Sequence, residues 1–291
     1  MLIQRDQHVW CRTVAALILM ILIAVPVSAQ DNDSVETRTV GVRASFDVLN
    51  DYVFRGVRQN STGLVMWPSI DLDVTPYSGG GALEQVQADF GFWNSLHTGD
   101  TGSAGPSGDR WYESRFNATL GLRFAKGISI GTTYTAYTSP NDMFTTVKEV
   151  AVRVALDDRE KFGRGALRPY ALVAMEVDTQ VGVGQLDGGF DAGRYLEVGA
   201  TPGYAVRRAR VDVPVRVGLS LSNYYELAGK DNAFGFFSVG GIVTVPVVRT
   251  GTFGVNVRGG VDFQVFGDTT KVFNGGDGHK TIGLVGVGLS Y

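Results

Sequence analysis

The sequence predicts an all-β fold, a closed antiparallel transmembrane β-barrel of about twelve strands. Three observations carry that expectation. Apolar and polar side chains alternate through long segments, the links between segments alternate between short and long, and the chain closes on an alternating segment with a terminal aromatic.

Alternation is what a strand with two different faces must show, because successive side chains leave it on opposite sides. Val211, Val213, Val215, Val217, Leu219 and Leu221 are apolar, with Asp212, Pro214, Arg216, Gly218 and Ser220 between them. Phe253, Val255, Val257, Val261, Phe263 and Val265 alternate in the same way with Asn256, Arg258, Asp262 and Gln264. The pattern places strands at 37–49, 63–76, 83–96, 111–125, 128–138, 144–157, 166–178, 194–206, 209–222, 234–248, 252–266 and 281–291. Soluble strands usually have roughly 5 or 6 residues, whereas tilted membrane-crossing strands need about 10, so these lengths favour a membrane barrel.

The expected links at 76–82, 125–127, 207–209 and 249–251 are short, and 158–165 is intermediate. Those at 49–62, 97–110, 178–193, 223–233 and 267–280 are longer, with 139–143 the exception. Short periplasmic turns and long external loops are the outer-membrane pattern. In the last segment Val285, Val287, Leu289 and Tyr291 share one face, and Gly286, Gly288 and Ser290 share the other. This ending resembles the assembly signal of bacterial outer-membrane barrels, which implies the barrel assembly machinery and outer-membrane lipids as partners.

The N-terminus reads as a secretory signal peptide over residues 1–29. Arg5 and Arg12 precede an apolar run from Val14 to Val25, and Val27-Ser28-Ala29 supplies a small-residue cleavage site. The apolar run falls short of the roughly 20 residues that a spanning helix needs. Residues 30–291 then form the barrel domain, and Cys11, the only cysteine, leaves with the leader, so no disulfide is expected. With 26 Lys and Arg against 29 Asp and Glu, the chain lacks the basic balance of a nucleic-acid binder.

Strand phase assigns the interior face. Six arginines point inward: Arg43, Arg115, Arg123, Arg153, Arg216 and Arg258. The inward acids are Asp47, Asp71, Asp73, Asp89, Glu113, Glu149, Glu176, Glu197, Asp212 and Asp262, and no inward lysine is expected. Such a face can brace the wall with ion pairs or select solutes by charge. The excess of acids leans towards cations. An enzyme needs a base beside a nucleophile or an activated water. After the leader only His97 and His279 remain, both in expected external loops, with Ser95, Ser103 and Ser107 near the first. A solvated loop histidine is the plainer reading. Asn274-Gly275-Gly276-Asp277-Gly278 lacks the acidic spacing of a calcium loop, and Gly182 and Gly184 precede no helix that would cradle a phosphate. No cofactor is expected.

The segment Asp51-Tyr52-Val53-Phe54-Arg55-Gly56, followed by Val57-Arg58-Gln59, resembles the hallmark of the TorF-type porin family of proteobacterial outer membranes. Weaker echoes are Trp111-Tyr112-Glu113 and the stretch Tyr134 to Pro140, so the resemblance spans roughly residues 40 to 160. It implies a barrel and solute passage, with no catalytic residue to carry over. From the residues themselves, Tyr52 and Phe54 are expected as rim aromatics at the membrane interface, and Arg55 as a partner for an interior acid. The expected function is a porin-like channel for small hydrophilic solutes or ions. The alternatives are a lipid-modifying enzyme and a closed structural or surface-recognition barrel.

Overall fold

The computed structural model describes residues 39–60, 62–99, 110–177 and 191–291. The expected signal peptide therefore lies outside the described residues, as do Ser103, Ser107, Gly182 and Gly184.

The wall has twelve strands: β1 (Val40–Leu49), β2 (Val65–Ser78), β3 (Leu83–His97), β4 (Trp111–Phe124), β5 (Ile128–Thr138), β6 (Val147–Leu156), β7 (Pro169–Val177), β8 (Arg194–Ala200 and Gly203–Val206), β9 (Ala209–Asp212 and Val215–Ser222), β10 (Phe234–Thr250), β11 (Phe253–Phe266) and β12 (His279–Ser290). Each pairs antiparallel with its sequence neighbours. β12 closes the ring on β1, with Arg43 opposite Ser290 and Leu49 opposite Leu284. Closure is what lets every backbone N–H and C=O find a partner without water. No helix among the described residues is long and apolar enough to cross a membrane.

The strands fall where alternation places them, and the departures sit at prolines. β8 breaks at Thr201-Pro202 and β9 at Val213-Pro214, because proline has no N–H to give the ladder. The proline carbonyls still accept, from Val213 N at 2.9 Å and from Gly240 N at 2.8 Å, so the wall stays joined across the breaks. Pro246 sits at a bulge opposite β11.

The links 79–82, 125–127, 157–168, 207–208 and 251–252 leave one end of the barrel, the end that carries Val40 and Ser290. The 157–168 link contains the single-turn helix α1 (Arg159–Phe162). The other end carries Leu49, Val65, His97, Trp111, Thr138, Val147, Val177 and Arg194, and the 267–278 link there contains α2 (Asp268–Phe273).

The outer face is apolar and uncovered. Phe46, Ile70, Phe90, Phe92, Phe116, Leu120, Val154 and Leu289 are exposed, and Val261 reaches 60 %. Exposed aromatics at the termini-side strand ends are Tyr77, Tyr204, Phe253 and Tyr291. A closed barrel with such a belt is soluble only in lipid. Tyr52 is not among the rim aromatics. It is 3 % exposed and lies inside.

Candidate functional site

Cross-strand register carries the charged positions onto one face of the wall, opposite the apolar belt. Asp73 stands opposite Asp89, Asp89 opposite Thr119, Thr119 opposite Thr133, and Thr133 opposite Ala151. Arg43 joins Asp73 at 2.9 Å and Asp89 at 3.0 Å. Arg258 Nε donates to Asp47 at 2.7 Å, and Arg216 meets Asp262 at 3.0 Å. Asp212 accepts from Arg168 at 2.6 Å and from Arg210 at 2.8 Å. Glu197 accepts from Tyr170 and Tyr195, each at 2.6 Å, and Glu176 accepts from Gly193 N at 2.9 Å. Asp71 lies in register with Arg43 but has no ion-pair partner among the described residues. Arg123 and Arg153 also have no acidic partner among the described residues, although Arg153 lies 4.2 Å over the Tyr170 ring.

Two expectations about this face are corrected. Lys280 is an inward lysine: it falls within β12 opposite Gln264, and its Nζ is 2.8 Å from Asp51. The sequence boundary at 281 had left it in a loop. His97 and His279 are strand residues and not loop residues. His97 ends β3 and is 0 % exposed, because the strand runs one residue further and its ring stacks on Tyr112 at 4.7 Å. His279 opens β12 and packs against Phe263.

The segment from Asp51 to Asn60 folds inside the wall at the end opposite Val40 and Ser290. Val53–Phe54 and Val57–Arg58 pair as a two-residue ribbon. Its turn, Arg55-Gly56, has φ of 46° and 84°, the double positive that a type I′ turn demands. Glycine is required at 56 for a second reason: a Cβ there would lie 3.0 Å from the Phe236 side chain. Arg55 is not a glycine, and its left-handed backbone costs energy that its surroundings must repay. Its guanidinium donates to Glu149 at 2.5 and 2.8 Å and to the Tyr224 hydroxyl at 2.7 Å. It also lies 4.1 Å over the Tyr195 ring, while its carbonyl accepts from Tyr225 at 2.9 Å.

The rest of the segment is held as firmly. The Tyr52 hydroxyl donates to Glu113 at 2.8 Å, and Arg115 donates to both. Burial, and then the charge of Glu113, push this hydroxyl well above the ordinary tyrosine value, so it remains a donor. Tyr52 N donates to Asn60 at 2.6 Å, and Gln59 accepts from Tyr112 at 2.6 Å. The Asn274 side chain, from the α2 loop, donates to Gly56 O and accepts from Arg58 N, both at 2.8 Å. Val53 packs against two buried clusters at once. One contains Tyr195, Tyr224, Tyr225 and Phe236, and the other Leu49, Tyr52, Tyr112 and Ile282. The segment thus bridges β3–β4 to β6–β8 across the interior, and its contacts are neither rim nor interface contacts.

The chain is a β-barrel of the outer-membrane type. It is similar in fold to an outer membrane channel from Pseudomonas putida F1, with a TM-score of 0.50, 10 % identity, and coverage of 91 % of this chain and 100 % of that one. Other solved barrels aligned with it are the NanC porin (TM-score 0.41, 9 % identity, 87 % of this chain and 98 % of that one) and outer membrane phospholipase A from Escherichia coli (0.42, 11 %, 85 % and 91 %). No family model and no curated protein matches the sequence. The apolar belt around a closed barrel places the protein in the bacterial outer membrane. Short turns at the termini side and longer links at the other are the outer-membrane pattern, in which the first end is the periplasmic one and the inward-folded segment belongs to the external one.

Burial divides the bore into two halves. At the external end Arg55 and Glu149 side chains are 11 % and 3 % exposed, whereas the Arg43 side chain nearer the periplasm is 53 % exposed. Residues Gln85, Gln87, Thr119, Arg123, Thr133 and Arg153 line a cavity of about 290 Å³ on the periplasmic half of β3–β6.

Proposed function

We propose that this protein is a narrow channel for small hydrophilic solutes, with the Asp51–Asn60 segment as its external constriction. The observation that carries the reading is the contrast between the two halves of one bore. The periplasmic half carries exposed charged side chains such as Arg43, and in the external half the Asp51–Asn60 segment packs inside the wall with its charges buried. A barrel built only as a scaffold has no need of a solvated charged half. The TorF-type likeness of the motif fits this reading, since the motif is itself the constriction.

The enzymatic alternative has one observation in its favour. Ser95 Oγ lies 2.8 Å from His97 Nε2. Both residues are fully buried on the inner side, and His97 Nδ1 has no hydrogen-bond partner. A working nucleophile–base pair needs substrate access and a third group to orient the base. The Ser95 hydroxyl instead accepts from Trp67 Nε1 at 3.1 Å, which marks it as part of the packing around Tyr52. Ion current through the purified protein in planar bilayers tests the channel reading. A rise in that current when Glu149→Gln frees the segment would place the constriction on the path, and unchanged current would remove it from the path.

A further inference from the structure

We infer that the periplasmic half of the bore holds a binding subsite for an oxyanion, a carboxylate or phosphate group of a small solute, between Arg123 and Arg153. The inference rests on the channel reading for its purpose but on separate residues for its chemistry. Most interior acids are already engaged by arginine or tyrosine donors: Asp47, Asp73, Asp89, Glu113, Glu149, Glu197, Asp212 and Asp262. Arg123 and Arg153 are the arginines of the predicted interior set with no acidic partner among the described residues, and both are exposed. An excess of acids counted along the sequence leans towards cations, and Asp73 and Asp89 share the single Arg43, but the two charged side chains that line this cavity are both arginines.

The wall between the two arginines is shaped to admit a ligand. Arg123 stands opposite Ser129 on β5, and Arg153 stands opposite Gly131, two residues further along the same strand. Gly131 is in turn opposite Gly121, so no side chain rises from the wall where the two strands meet. A Cβ added at Gly121 or Gly131 would meet nothing closer than 3.8 Å, so the hollow is open and not a close-packing requirement. The rim offers neutral donors as well. Gln85 Nε2 donates to Thr75 at 3.4 Å and Gln87 Nε2 to Asp73 at 3.2 Å, each with a second amide proton to offer, and the Thr119 and Thr133 hydroxyls bond to each other at 2.8 Å. Arg153 is held in place by its stacking on Tyr170, which lowers the entropy lost on gripping an anion. Guanidinium forks match planar oxyanions in two-bond geometry, and such charge-assisted bonds are roughly twice as strong as neutral ones.

Isothermal titration of citrate, and separately of inorganic phosphate, into detergent-purified protein at low salt tests the subsite without requiring conduction. At least one probe should bind, and Arg123→Gln and Arg153→Gln should each weaken it about tenfold. The conservative Arg153→Lys should retain part of the affinity. Lys161→Gln, on the exposed periplasmic turn, should leave affinity unchanged. Absence of binding by both probes in the parent protein overturns the proposal. So does equal weakening by Lys161→Gln, which would mean a diffuse charge effect. Binding in a barrel that passes no current sinks the channel reading and leaves the subsite standing, while current without binding does the reverse. Heat-modified gel mobility establishes that each variant is folded.

Discussion

Arg55 and Glu149 meet as a two-nitrogen, two-oxygen pair at 2.5 and 2.8 Å, joining the inward-folded segment to strand β6 ninety-four residues away. Both are nearly sealed from water. Removing one partner of a buried pair leaves an uncompensated charge and typically costs about 3–5 kcal/mol. Glu149→Gln should therefore release the Asp51–Asn60 segment while leaving the wall paired. Since Cys11 is the only cysteine and lies in the expected leader, Phe54→Cys gives a clean label. Thiol labelling at position 54 should be slow in the otherwise native protein and much faster with Glu149→Gln. Equal rates would show that the pair does not hold the loop.

The lipid-facing belt makes its own demand. Val261, the most exposed apolar side chain in mid-strand β11, should tolerate no charge, and Val261→Arg should cost about 2–4 kcal/mol in a folding titration into vesicles. Gln87→Arg, beside Asp73 on the inner face, should cost less than about 1 kcal/mol, since a new pair with Asp73 replaces the 3.2 Å bond from Gln87. Similar losses at both sites would mean that the faces are assigned backwards.

Processing is testable directly. Protein extracted from outer membranes should begin at Gln30 or within a few residues of it on N-terminal sequencing. A retained Met1 would contradict the leader.

Ser95→Ala and His97→Ala address the enzyme reading. Each should leave any lipid-modifying activity of the host membrane unchanged and lower thermal stability, because Ser95 bridges Trp67 and His97 within the packing around Tyr52. Loss of a lipid product in both variants, with folding intact, would favour catalysis.

The wall was legible in the sequence because a two-sided environment imposes a two-residue period on every strand, and lipid outside with charge inside makes that period strong. Phase survived even where boundaries slipped, so Arg43 meets Asp73 and Asp89, 30 and 46 residues further along the chain. What local patterns could not carry was the inward course of Asp51 to Asn60. Its anchors, Glu149, Tyr224 and Asn274, sit 94, 169 and 216 or more residues from their partners. Tyr224 and Tyr225 fall in the expected 223–233 link, and nothing in the neighbouring sequence announces that they turn inward. One local signal was available: Arg55-Gly56 between Val53-Phe54 and Val57-Arg58 is a two-residue hairpin turn, and a hairpin inside a loop is a compact body able to enter a bore. The identity of the charge left unpaired was likewise invisible, because pairing depends on depth in the barrel as well as on face.

The most direct measurement is single-channel current through the purified barrel in planar bilayers, with the parent protein and Glu149→Gln compared under one salt. The account predicts small, discrete conductance in the parent and a larger unitary conductance in Glu149→Gln, where the Arg55 latch is broken. Silence from both, with each barrel folded by gel mobility, would contradict it and leave a closed wall plugged by its own loop.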